Sequence, residues 1–431
     1  MLANLKQDAH PLGRPRLWEA RVSSVDKLRR LSDFLPRSLL TGPLVYGWTT
    51  FIIVLGMTLG HRLIPSATFV PKPPRLSDCF ANWDGGWYTS IARDGYHFAP
   101  QVGCDVAFFP AYPLLGRLVA KVTGLQPKLA LLVVSHLSFL AALVTLGAYV
   151  RLRFDPVPER LIAFVLFAAA VFPTGFFFRM VYSESLFLFC TILTFYLMER
   201  NAPLYVVAGL IGFTTACRIP GICLLCPFVL HVRHRSLSVR DCLQKLVCLA
   251  PLTCWGIASF MLYTWYKFGE PLAFAKAQSC WFFRLPPSWT HKVYCLAVLE
   301  PFRSVFSSSS GAAYWKNQSL DKSAFLSLTA ANPVYFGLAA VLIMVGAYKR
   351  WLSPREWSFG AALLFMTYAG RGYEMCMQSS GRFVAVVFPI YLVLGQLLCR
   401  CPPPLATSFL AFCAVLLTLY SALFAACHFL I

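Results

Sequence analysis

Charge is what this 431-residue chain has least of: 13% of its residues are charged against 58% hydrophobic, with a mean hydropathy of +0.62. A soluble domain carries about 25% charged residues, so a set of soluble domains of this length is excluded. Acid is scarcer still, with 18 Asp and Glu facing 38 Lys and Arg. Each carboxylate in an apolar run therefore needs a reason. No glycine repeat runs through the chain, which excludes a collagen, and hydrophobicity is far too high for disorder. No apolar stretch precedes Leu44, so no cleavable signal is expected and the first span acts as its own anchor. The 16 cysteines lack zinc-site spacing: Cys223 and Cys226 have no flanking His or Cys pair. Most read as small buried hydrophobes. Cys79 and Cys104 share a non-apolar loop, where a disulfide would form in an oxidising compartment. No internal repeat and no separate soluble domain is visible.

What is present is apolar runs with basic punctuation. The net charge of +20 would suggest nucleic acid in a soluble protein, but the basic residues gather between apolar runs. Eight lie before residue 44, and others at Arg151, Arg153 and Arg160, at Arg233, Arg235, Arg240 and Lys245, and at Lys349, Arg350 and Arg355. This is the pattern of cytoplasmic loops, and no nucleic-acid partner is expected. Runs long enough to span lie at about 44–63, 129–150, 245–266, 331–348, 356–372, 383–399 and 405–430. Shorter runs form the pairs 161–178 with 183–198 and 203–217 with 219–232, the second broken at Arg218-Ile-Pro-Gly221. An Arg followed by Pro at that depth requires a protein interior or a wet cavity.

The expectation is an all-α polytopic membrane protein with about eleven transmembrane helices, in a range of roughly eight to twelve. A basic cytoplasmic tail, 1–43, precedes a single integral-membrane domain, 44–431. Two long segments, about 64–128 and 267–330, then share the non-cytoplasmic side with the turns around Arg179, Arg218 and Tyr373–Ser380. Ala107–Val122 reads as an interfacial helix or an extra crossing.

Asn82-Trp-Asp-Gly-Gly-Trp-Tyr88 is the most informative stretch. It sets Asp84 between Trp83 and Trp87, beside two glycines that let backbone approach a ligand. The plain alternative is an interfacial aromatic belt with a solvated acid. Trp83 and Trp87 offer faces on which a sugar or prenyl group stacks. Asp94 and Asp105 are secondary candidates for catalysis, substrate or metal contact, with solvated loop acids as the alternative. Ala107-Phe-Phe-Pro-Ala-Tyr-Pro113 reads as a stiff lipid-facing ledge or as a connector. Glu184 opens an apolar helix, where it either caps the helix with Ser183 or positions substrate.

Four blocks give a family resemblance. They are Trp83-Asp84-Gly85 through Gly95-Tyr96 and Phe108-Phe109-Pro110; Tyr182-Ser183-Glu184-Ser185-Leu186-Phe187; Phe268-Gly-Glu-Pro-Leu-Ala-Phe-Ala-Lys-Ala-Gln278 with Trp281; and Gly381-Arg382-Phe383 through Phe388-Pro389. In these the chain resembles the second mannosyltransferase family of GPI-anchor synthesis, the PIG-V family, and its bacterial relatives within the GT-C superfamily of multispan glycosyltransferases. The resemblance implies a GT-C-type fold and transfer of a hexose, mannose first, from a polyprenyl-phosphate donor to an acceptor hydroxyl, on a lipid-linked or other glycan, at the non-cytoplasmic face. Asp84 matches the family's first-loop acid and would be the general base of an inverting displacement. The lipid phosphate leaving group calls for a guanidinium, with Arg382, Arg218 and Arg179 as candidates. Headgroup snorkelling is the alternative role for Arg382, and Glu184 an alternative partner for Arg179. Gln278 and Trp281 belong to a carbohydrate-facing lid that also holds Trp289, Tyr314 and Trp315, and Ser307–Ser310 reads as a flexible link. No cofactor is assigned, with a divalent metal left open. A bacterial cytoplasmic membrane is favoured, an endoplasmic reticulum membrane if the source is eukaryotic. A transporter or flippase of lipid-linked sugars using the same cavity is the alternative function, and a non-catalytic scaffold the third.

Overall fold

The computed structural model describes residues 37–66, 71–99, 103–282, 284–306 and 328–428. Residues 1–36 of the basic tail, the Ser307–Ser310 link, Tyr314 and Trp315 lie outside them. All regular structure among the described residues is helical, in line with apolar runs that must satisfy every backbone group internally.

Five helices are long and apolar enough to cross a membrane, at or close to positions expected from sequence. The chain opens with α1 (Arg37–Leu63). The first long loop then folds into α2 (Asp84–Asp94) and α3 (Ala111–Thr123) before α4 (Pro127–Arg153). Shorter helices follow: α5 (Glu159–Ala170), α6 (Glu184–Glu199), α7 (Leu204–Cys217) and α8 (Leu225–His234). The long α9 (Val239–Phe268) leads into the second loop, which carries α10 (Ala273–Ser279), α11 (Trp289–Ala297) and α12 (Glu300–Phe306). The last third comprises α13 (Leu328–Tyr348), α14 (Pro354–Thr367), α15 (Ser380–Ala385), α16 (Pro389–Arg400) and α17 (Pro403–Ala425).

The expected spans at 356–372 and 383–399 are shorter as helices than their apolar runs. The first ends at Thr367 in a widened turn, Tyr368–Gly372, and the second begins only at Pro389. Proline explains the second boundary, because a residue without an N–H starts a helix far more easily than it continues one. Helix α3, with 13 residues, exposes Leu114, Leu118 and Val122 at fourfold spacing while burying Tyr112, the pattern of an interfacial helix.

Close helix crossings hold the long spans together. A side chain at Gly60 would meet the Ala422 carbonyl oxygen at 2.0 Å and one at Gly56 the Thr418 carbonyl at 2.6 Å, so α1 and α17 touch backbone to backbone. Gly256 of α9 lies against the Gly212 carbonyl of α7 in the same way. In lipid, packing of this kind replaces the hydrophobic drive between helices.

Polar groups collect in two layers. At one end, Glu356 is fully buried, accepts from the Tyr149 hydroxyl at 2.5 Å and lies 3.4 Å from Arg153, while Arg355 pairs with Glu199 at 2.5 Å. At the other, Ser135 donates to the Tyr182 carbonyl at 3.2 Å, beside Ser183 and Glu184. Ser135 and Arg153 share α4 and are separated by about 27 Å at 1.5 Å per residue, close to the thickness of a bilayer's hydrocarbon core. The basic loops occupy the first layer and the Asp84 segment the second.

Candidate active site

Asp84 is the first residue of α2, where a carboxylate meets the positive end of the helix dipole. Its neighbour Trp83 takes a positive φ of 59°, which turns the chain sharply into the helix. Gly85 makes the close approach possible: a Cβ there would stand 3.3 Å from the Val181 carbonyl oxygen. Asn82 anchors the turn by donating to the Phe424 carbonyl at 3.0 Å, and the Tyr182 hydroxyl donates to the Asn82 carbonyl at 3.0 Å. The first loop is thus pinned to both the α6 entry and the end of α17.

Three chain segments converge on this carboxylate. Arg382 of α15 donates from Nη1 to Asp84 Oδ2 at 2.6 Å, and its Nε lies 3.3 Å from Glu184 Oε1. Glu184 also pairs with Arg218, whose Nη1 lies 3.4 Å from Ser183 Oγ. Ser183 shares a 2.8 Å hydrogen bond with the Tyr88 hydroxyl, one turn along from Asp84. Burial pushes the Tyr88 phenol above its ordinary range, so it stays a neutral hydroxyl. Exposure falls inward, from 24% at Asp84 and 15% at Arg218 to 9% at Arg382 and 2% at Glu184. Asp84 therefore presents the open face of an otherwise buried ion-pair cluster.

The position of Arg382 is fixed by its neighbour. Gly381 donates its backbone N–H to Asn332 Oδ1 at 2.9 Å and accepts from Thr174 Oγ1 at 2.8 Å. A Cβ on Gly381 would lie 2.8 Å from that same Asn332 oxygen.

An aromatic wall stands beside α2. Trp87 and Phe108 stack with ring centres 6.1 Å apart, and Trp281 from the second loop meets Trp87 edge-on at 6.3 Å and Phe108 at 6.0 Å. Gln278 donates to the Ala107 carbonyl at 3.4 Å, which ties α10 to the same wall. Toward the end of α2 lies an apolar cavity of about 480 Å³ between α2, α3, α7 and α9, lined by Ile91, Leu114, Leu118, Trp255, Phe260 and Tyr263 among others. Ile91 lies two helical turns, roughly 10 Å, from Asp84 along α2.

Asp84, Glu184, Arg218 and Arg382 come together, and Trp87, Trp281 and Gln278 stand beside them; Trp83 supplies the turn. Three candidates fall elsewhere. Arg179 is fully buried but belongs to another contact: it donates to Thr49 and stacks 4.2 Å over Phe139, with no link to Glu184. The helical turn Gly175–Arg179 ends in an extended Met180, so spacing along a continuous helix does not apply across it. Asp94 pairs with Arg93 at 2.9 Å on the surface, which holds its carboxyl below the usual range. Asp105 is buried and accepts from the His97 backbone at 2.7 Å, fastening its own loop. Cys79 and Cys104 are free and occupy separate apolar clusters, Cys79 with Phe176 and Phe424, Cys104 with Phe109 and Phe274. No cluster of three or more His, Cys, Asp or Glu occurs among the described residues, so no metal ligand set is assigned.

Sequence reasoning missed Arg371, in the turn after α14, whose guanidinium lies 5.2 Å over the Phe383 ring. Arg218 and Arg382 face the same ring at 5.3 and 5.1 Å. Its signal was the one that marked Arg218, a basic residue ending an apolar run on the side away from the basic loops.

No family model and no curated protein matches the chain. It is similar to solved structures of the Archaeoglobus fulgidus oligosaccharyltransferase. The form tethered with an acceptor peptide is 13% identical, with a TM-score of 0.43 and coverage of 88% of this chain and 55% of that one. The complex with Zn and sulfate is 15% identical, with a TM-score of 0.44 and coverage of 88% and 53%. The complex of AglB with an inhibitory peptide and a dolichol-phosphate is 14% identical, with a TM-score of 0.37 and coverage of 88% and 55%. The chain thus spans about half the length of these proteins. Neither reaction nor substrate follows from a likeness at this level.

Proposed function

We propose that this integral membrane protein is an inverting glycosyltransferase that moves a hexose, mannose first among the candidates, from a polyprenyl-phosphate donor to an acceptor hydroxyl at the non-cytoplasmic face. The observation that carries the reading is the Asp84 carboxylate on the open face of a guanidinium cluster, beside an aromatic wall. Asp84 Oδ2 is held by Arg382, which leaves Oδ1 to take the acceptor's proton. The acceptor oxygen forms a bond to the anomeric carbon as the bond from that carbon to the phosphate oxygen breaks. The electron pair leaves with polyprenyl phosphate, and the guanidinium groups meet the developing charge. Trp87 and Trp281 supply ring faces for sugar, and the apolar cavity beside α2 suits an isoprenoid chain.

In this reading the apolar runs that contain the short helices α5, α6, α7 and α8 each cross once, giving about eleven crossings with the basic loops in the cytoplasm. The donor phosphate then enters from the second polar layer. The test is Asp84→Asn in membranes supplied with radiolabelled polyprenyl-phosphate mannose. Removal of a general base lowers transfer by about 100- to 10,000-fold, while full retained transfer removes Asp84 from the mechanism. Glucose and galactose donors in parallel decide the sugar.

A further inference from the structure

Among the described residues the charges around the site do not cancel, and the remainder falls on one residue. Asp84 pairs with Arg382, and Glu184 with Arg218 and Arg382. The second loop brings two more pairs to the segment after Arg371: Lys292 with Glu374, both nearly buried, and Arg284 with Glu300 at 2.7 Å. Arg284 also donates from Nε to the Tyr373 carbonyl at 2.6 Å, so these pairs clasp the loop to the turn that bears Arg371. Four carboxylates are thereby matched to four cations. Arg371 is the fifth cation. Its guanidinium makes no ion pair or hydrogen bond with any described residue, its Nε is buried without a partner, and its one contact of note is the Phe383 face shared with Arg218 and Arg382.

A third guanidinium packed around one ring with two others is repelled by both, and the acids whose field reaches it, Asp84 and Glu374, are each already paired with another cation. An anion beside the three would relieve that repulsion. The surplus is one positive charge, which matches a phosphodiester monoanion. The open sides of the cluster are those of Asp84 and Arg218, facing the region where a sugar would react.

We infer that Arg371 binds the phosphate of the lipid-linked donor, with Arg218 and Arg382 serving mainly to hold Glu184 and Asp84. The inference rests on the transferase reading for the identity of the lipid, and on the unmatched charge for the anion. Because Arg371 has no carboxylate partner to abandon, its removal leaves no orphaned acid. This separates a ligand role from a structural one.

The test uses the full chain in nanodiscs with Arg371→Gln and Arg371→Lys, titrated with farnesyl phosphate, inorganic phosphate and farnesol. Loss of a charge-assisted contact weakens farnesyl phosphate binding by about 10- to 100-fold in Arg371→Gln. Arg371→Lys keeps part of the affinity, farnesol binding does not change, and the unfolding midpoint without ligand is equal to wild type or higher. Equal farnesyl phosphate affinity in wild type and Arg371→Gln overturns the inference, as does equal weakening for farnesol. A loss seen for inorganic phosphate alone overturns the lipid assignment. Arg371-dependent phosphate binding without any sugar transfer sinks the transferase reading and leaves the anion site standing; transfer with binding indifferent to Arg371 does the reverse.

Discussion

Replacing Glu184 by Gln tests the ion-pair cluster most directly. Glu184 is 1% exposed and faces two guanidiniums, so the substitution keeps shape and removes the charge that both need. Breaking a buried pair by deleting one partner costs about 3–5 kcal/mol. Two features place this case near the lower end: Arg218 is 15% exposed and can recruit water, and Arg382 keeps Asp84 at 2.6 Å. The expected loss is therefore about 3 kcal/mol. Three guanidiniums would then share one carboxylate, so Arg371→Gln raises stability more in the Glu184→Gln background than in the wild type, a coupling that independent sites would not show. The assay is the unfolding midpoint of detergent-purified protein, read for the two single variants and the double, with transfer measured on the same preparations. An unchanged midpoint in Glu184→Gln, or an effect of Arg371→Gln that is the same in both backgrounds, would refute the charge balance described for the site.

Gly381→Ala places a methyl 2.8 Å from Asn332 Oδ1 and so displaces the residue that aims Arg382; transfer falls at least about tenfold, as expected for a misplacement of under 1 Å, while the protein still purifies as a folded species. Wild-type transfer in that variant would show that Arg382 needs no such aim. Cys79 is fully buried, and burial pushes its thiol up to about 11. Because the thiolate is the reactive form, maleimide labels Cys79 slowly at neutral pH and faster only as pH rises toward that value, whereas exposed Cys280 reacts readily. Rapid labelling of Cys79 at pH 7 would contradict its burial.

The membrane class, the five long spans and the polar cluster were legible in the sequence because lipid makes exceptions visible. An acid or Arg in an apolar run has few physical excuses, and Glu184 and Arg218 stood out on that ground, whereas Arg382 was singled out by its place in a block of the family resemblance. Asp84 stood out through its neighbours, two tryptophans and two glycines. Arg179 obeyed the same rule yet went elsewhere, because the chain turns at Met180 and sends the guanidinium back among Thr49, Thr50 and Phe139. Spacing reads as proximity only along an unbroken helix. Asp94 and Asp105 failed for the opposite reason: their partners Arg93 and His97 lie so near in sequence that local pairing outcompetes any distant site. Arg371 was obscured by the apolar run 356–372, whose helix ends at Thr367. Helix ends in apolar runs are set by packing, which hydropathy alone does not report.

The arrangement around Asp84 also bears on why a carboxylate should serve as a base beside so many cations. A site built only for phosphate would have no use for a carboxylate at this position. In the proposed reading the two oxygens of the carboxylate have separate tasks. Oδ2 is fixed by Arg382, which sets the direction of the carboxylate, and the helix start fixes its backbone. In the proposed reading Oδ1 is the oxygen left for the acceptor, at no cost in ordering at the moment of reaction.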